Sequence, residues 1–122
     1  MKGLKKIEWI LRIAVAGEFL GHGVFALRGN VGWFEYFEAF GISNPDTIVS
    51  LLLVVGAIDV TLAALVLIKP IRPLVLWMAF WGLWVALIRW PFGPDPIWEF
   101  FEGWANWGAP LALFYILGLK KK

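Results

Sequence analysis

Four stretches of this chain, residues 7–27, 47–68, 73–90 and 104–119, are apolar enough to lie in a bilayer, and only short connections separate them. A membrane-crossing helix needs roughly 20 predominantly apolar residues. The first three stretches meet that length. Pro73 sits where a helix start tolerates proline. The fourth is shorter and contains Pro110, so it is expected to begin at the interface near Trp98 and rise from there. The composition agrees, with 61% hydrophobic and 16% charged residues, where soluble domains carry about a quarter charged. The expected fold is an all-α membrane protein, a four-transmembrane-helix bundle forming a single domain over residues 1–122. The start MKGLKK is basic, but the apolar run behind it is long and holds Arg12, Glu18 and His22. It reads as a retained first span rather than a signal peptide.

Charge at the connections predicts the orientation. Lys2, Lys5 and Lys6 precede the first span, Lys69 and Arg72 lie between the second and third, and Lys120, Lys121 and Lys122 follow the fourth. These segments are expected on the cytoplasmic side, so both termini are inside. The other two connections are acidic on balance, with Glu35, Glu38 and Asp46 in one and Asp95, Glu99 and Glu102 in the other. Both are aromatic. VGWFEYFEAFG (31–41) and PIWEFFEG (96–103) read as short amphipathic helices on the outer surface. Each follows a span that ends in arginine, Arg28 or Arg89. Either the chain repeats an order of span, surface helix, span, or outer loops of such a protein simply collect aromatics.

Polar groups at bilayer depth are the strongest functional signal, because each charged one costs roughly 2.5–3.5 kcal/mol on insertion scales. Glu18 lies near the middle of the first span and Asp59 near the middle of the second, which runs the opposite way. His22 follows Glu18 by four residues, about 40° around and roughly 6 Å along a helix. A Glu18–His22–Asp59 cluster follows if that face meets Asp59. It could hold neutral carboxyls, a His22 cation neutralising one of them, or a ligand between them, or it could only hydrogen-bond helices together. Nothing in the spacing demands a metal. Arg12 has Glu8 one turn before it, the favourable order for an ion pair. It reads as an anchor at the inner headgroups unless another span draws it inward. Small residues cluster in the first span, at Ala14, Ala16, Gly17, Gly21 and Gly23, with Gly17 and Gly21 a small-xxx-small pair, and in the second at Gly56, Ala57, Ala63 and Ala64; they suit close helix approach or room for a ligand.

In the third span Trp77, Trp81 and Trp84 recur at helical spacing, with Phe80 beside them. Such a stripe packs a bundle, or it stacks a flat lipophilic ring such as a quinone or a carotenoid. The chain has no cysteine and one histidine. Disulfides, thiol chemistry and iron–sulfur clusters are excluded, and a heme would need a ligand besides His22. The net charge of +2 points to no nucleic acid.

The segment LRIAVAGEFLGHGVFALRG (11–29) resembles the opening of DoxX-like membrane proteins, with Arg12, His22, Gly23 and Arg28 at the matching places. YFEAFGI (36–42) and VGAIDVTLAALVLI (55–68) extend the resemblance, with Asp59 where glutamate is more usual. Glu18 stands where the family has an apolar residue, and Arg28 where it often has lysine. The resemblance implies a four-helix protein of a prokaryotic cytoplasmic (inner) membrane, with some relatives similar to a subunit of thiosulfate:quinone oxidoreductase. The expected function is therefore a subunit of a quinone-linked redox system. Glu18, His22 and Asp59 would handle protons, and electrons would come from a membrane-protein partner. A non-catalytic accessory subunit, packed on a larger complex or binding carotenoid or lipid, is the alternative. A small proton-coupled transporter, working as a homo-oligomer, is a third.

Overall fold

The structure, a computed structural model, describes residues 2–120, and within them it is all-helical. The elements are α1 (Lys2–Leu27), a 3-10 turn (Val31–Trp33), α2 (Phe34–Glu38), α3 (Pro45–Ile68), α4 (Arg72–Arg89), α5 (Ile97–Glu102) and α6 (Ala105–Lys120). Lys121 and Lys122 lie outside the described residues, and nothing is described for the side chains of Lys2 and Lys120. Three helices are long and apolar enough to cross a membrane, over Gly3–Leu27, Pro45–Ile68 and Arg72–Arg89. The fourth long helix, α6, has 16 residues. At 1.5 Å per residue it spans about 24 Å, short of a hydrocarbon core of about 30 Å.

The helix ends follow from local chemistry. Leu27 ends α1 because Gly29 takes φ +65°. Its N–H then bonds Ala26 O at 2.9 Å, and the Asn30 N–H bonds Phe25 O at 3.3 Å. These are the paired bonds of a Schellman closure, which needs a left-handed residue that glycine supplies without strain. Gly41, at φ +87°, closes the next segment in the same way through Glu38 and Phe37. Asn44 starts α3 by accepting the N–H groups of Asp46 and Thr47, with Pro45 at the first helical position.

Helix α1 packs along α3, α4 packs along α6, and α1 joins the two pairs by touching α6. Each pair is thus two long helices with a short aromatic helix between them. The close approach of α1 to α3 occurs at Gly23 and Gly56, where an added Cβ would come within 2.8 Å of backbone or side-chain atoms. Gly17 and Gly21, singled out by sequence, have nothing within 4 Å and face outward. The approach of α4 to α6 is made by Gly82, where a Cβ would collide with the backbone of Asn106. Pro110 explains the spot: it lacks the N–H that would bond Asn106 O, so α4 packs against that carbonyl.

The reading of Arg12 as an interfacial anchor is corrected. Its side chain is buried and pairs with buried Glu8 at 3.1 Å. It also donates from Nε to Val66 O at 3.0 Å and from Nη2 to Leu67 O. These carbonyls belong to the last turn of α3, which has no helical donors beyond its end. That need draws the guanidinium inward. Arg72 makes a similar move, donating from Nε to Phe114 O at 3.2 Å and covering the Phe114 ring at 4.0 Å. Its guanidinium occupies the space where a Cβ on Gly118 would stand.

Two apolar clusters make the core. The larger joins Val15 and Phe19 of α1, Leu62 and Val66 of α3, Val75 and Met78 of α4, and Leu113 and Leu117 of α6. It fills the half of the bundle at the basic end, where Lys5, Lys6, Lys69 and Arg72 lie. The smaller, Ala26, Ile48 and Leu52, is capped by Trp33, Phe34 and Phe37 at the other end. Large apolar side chains also cover the outside, among them Ile10, Ile13, Val54, Ile58 and Phe80. Helix α3 is apolar around nearly its whole circumference, a pattern of helices immersed in apolar surroundings.

Candidate functional site

Although a three-residue turn joins α3 to α4, the two helices barely touch beyond it. The gap between them is a cavity of about 300 Å³ in the half of the bundle away from the basic end. Leu52, Val55 and Asp59 of α3 form one wall, and Trp81, Trp84, Val85 and Ile88 of α4 form the other. His22 reaches it from α1. The segment carrying α2 closes the end with Trp33, Tyr36, Phe37 and Phe40, and Arg89 stands at the same rim. The lining is overwhelmingly apolar and aromatic, with a few convergent polar groups, as expected of small-molecule sites.

A second, much smaller chamber of about 20 Å³ adjoins the first. It is lined by Glu18 and His22 of α1, Asp59 of α3, Trp81 and Gly82 of α4, and Asn106 of α6. Asp59, His22 and Trp81 border both spaces. The three polar residues expected to cluster, Glu18, His22 and Asp59, therefore share one wall-to-wall space in the middle of the bundle. Glu18 and Asp59 lie within electrostatic reach of one another. Asp59 is buried at 4% exposure, and among the described residues its Oδ1 has no hydrogen-bond partner. An unsatisfied buried acceptor costs about 1–3 kcal/mol, so this atom is poised for a donor. Among the described residues no three His, Asp or Glu side chains are grouped to hold a metal ion.

The tryptophan stripe divides. Trp81 and Trp84 face the cavity, but Trp77 does not; it is 46% exposed on the outer face of α4 and stacks on Trp81 with centroids 5.9 Å apart. One turn of helix separates Trp77 from Trp81, and the cavity ends between them where Val75 and Met78 fill the core.

Sequence spacing does not bring Trp33, Tyr36, Phe37, Phe40, Asn106 or Arg89 to the site. Trp33 and Tyr36 were placed on a surface helix, yet the Gly41 closure turns their segment across the mouth of the cavity. Trp33 lies 5.9 Å from the His22 ring. Asn106 follows a break before α6, where spacing gives no phase relative to the other spans. Arg89 was read only as a span terminus. It organises the rim, pairing with Asp95 Oδ2 at 3.2 Å and Glu99 Oε2 at 2.9 Å. Tyr36 donates to the same Asp95 oxygen at 2.6 Å. Burial, then the bond to Asp95, hold the Tyr36 hydroxyl above the ordinary tyrosine value, against the opposing pull of Arg89. The signal that could have found Arg89 is its distance from the basic end, which leaves acidic groups of the neighbouring loop as its nearest counter-charges.

No protein-family model, curated protein sequence or solved structure matches this chain.

Proposed function

We propose that this chain is a four-span membrane protein of the DoxX-like kind, with both termini cytoplasmic, that holds a flat lipophilic ring of the quinone class between α3 and α4. It would serve a redox system whose electrons come from a membrane-protein partner. The observation that carries this is buried Asp59, whose Oδ1 has no partner among the described residues, bordering a cavity of about 300 Å³ walled by Trp81, Trp84, Trp33 and Phe37. A ring stacks on the indoles, and a carbonyl or hydroxyl at its edge meets Asp59 and His22. The apolar gap between α3 and α4 suits a ligand that arrives from the lipid.

In this arrangement α6 is the fourth crossing. Its shortfall is made up by the α5 region, where Trp98, Phe101 and Trp104 form an exposed aromatic group at the depth of headgroups. The basic end takes the cytoplasmic side by the positive-inside tendency. The same exposed group, with Trp98 71% exposed, favours a second reading as an accessory subunit docked on a larger complex.

The test is extraction of purified protein from its own membrane, with mass spectrometry of the lipophilic fraction, and titration of delipidated protein with a short-tailed ubiquinone followed by tryptophan fluorescence. Retention of a ring compound, and quenching lost in Asp59→Leu and Trp81→Ala, support the proposal. A clean extract together with unquenched fluorescence overturns it.

A further inference from the structure

The ring cavity leaves the small inner chamber without a role. Its volume of about 20 Å³ exceeds the roughly 10–15 Å³ that one water requires. A buried water also needs two to four polar partners. Four residues with polar side chains, from three helices, border the chamber beside apolar neighbours: Glu18, His22, Asp59 and Asn106. Among the described residues no hydrogen bond joins these four to one another, and Asp59 Oδ1 is buried without a partner on the chamber's border. Trp81 and Gly82 border the space on the α4 side, and Gly82 brings α4 against the Asn106 backbone.

We propose that this chamber is a one-water site through which Glu18 and Asp59 exchange a proton, so that Glu18 sets the charge Asp59 presents to the ring cavity without touching the ligand. The exchange balances within the site. The Glu18 O–H bond breaks as the water takes that proton, and the water passes one of its own to Asp59. The water is regenerated, and the negative charge moves from one carboxyl to the other. Asn106 accepts from or donates to the water through its amide and holds it in place. Among the described residues His22 on α1 borders the chamber beside this pair, Arg89 on α4 and Tyr36 on the segment over the mouth stand at the rim of the adjoining cavity where Arg89 acts on His22, and α6 contributes the neutral Asn106. Glu18 is a positioning residue. The proposal rests on the ring-binding reading only for the cavity that Asp59 serves, and its infrared test needs no ligand.

The experiment is infrared difference spectroscopy of the full chain in phosphatidylcholine vesicles across a pH titration, repeated in ¹⁸O-labelled water. The carboxyl bands are assigned by Glu18→Gln and Asp59→Asn. In the unaltered protein an ¹⁸O-sensitive water band accompanies carboxyl titration. Glu18→Gln moves the Asp59 midpoint by about one pH unit or more, the mark of coupled sites. Asn106→Leu keeps both carboxyls, fills the chamber, removes the water band and separates the two midpoints. It also serves if Glu18→Gln does not fold. An Asp59 band and midpoint unmoved by Glu18→Gln, or a coupled titration unmoved by Asn106→Leu, overturns the proposal. Ubiquinone quenching at each pH is read in parallel: its absence from every protein counts against ring binding and leaves the infrared result standing.

Discussion

Tyr36 donates its hydroxyl to Asp95 across 2.6 Å, and through that one carboxylate α2 is tied to the loop after α4. Arg89 grips the same oxygen, so two segments distant in sequence converge at the rim of the cavity. Replacement by Phe keeps the ring in the lining and deletes the bond. Tyr36→Phe is expected to cost about 1 kcal/mol. Because the folded Tyr36 hydroxyl titrates above the unfolded value of 10, its stabilisation is complete below pH 10 and is lost as pH rises through the higher folded value. Thermal unfolding in detergent should therefore separate the two proteins at pH 8 and bring them together at strongly alkaline pH.

Asp59→Leu should raise the stability of the ligand-free protein while abolishing ring binding. The substitution replaces a buried carboxyl whose Oδ1 no protein donor satisfies among the described residues and supplies apolar volume in its place, a change that is often neutral or stabilising. An increase of about 1–3 kcal/mol is expected, read by unfolding in detergent. A loss of stability of that size would mean the carboxyl has a protein partner.

Arg12→Met should do the opposite. It takes the guanidinium away from Glu8 and from two carbonyls of the last α3 turn, and breaking one side of a buried pair typically costs about 3–5 kcal/mol. The double variant Glu8→Gln, Arg12→Met should recover part of that loss. Equal stability of the single and double variants would show that the pair itself contributes little.

Gly82→Ala and Gly56→Ala should each destabilise by about 1–3 kcal/mol, since backbone stands where the new methyl must go. Gly17→Ala and Gly21→Ala meet nothing within 4 Å and should leave stability unchanged or slightly higher, because alanine favours helix more than glycine does.

The polar centre was legible in the sequence because its logic is helical. Glu18 and His22 share a face by spacing, and Asp59 matches their depth because the second span runs back. Asn106 and the residues over the mouth were not, since their positions depend on breaks and loop closures that carry no period. The small residues were legible in part: Gly23 and Gly56 make the close approach of α1 to α3, while Gly17 and Gly21 satisfy a spacing rule on a face that meets no helix. Trp77, Trp81 and Trp84 show the limit of a stripe. Their shared face is real, yet the cavity covers only part of its length.

The α1–α3 contact is fixed at two points. Eleven residues separate Arg12 from Gly23, and eleven separate Gly56 from Leu67, so both intervals span about 16 Å of helix. The guanidinium seat at one end and the glycine pair at the other therefore act like two pins through the same hinge leaf. A slip of one turn, about 5.4 Å, would pull both at once. Any breathing of the cavity must then come from α4 and the strap over the mouth, swinging against an α1–α3 post that does not slide.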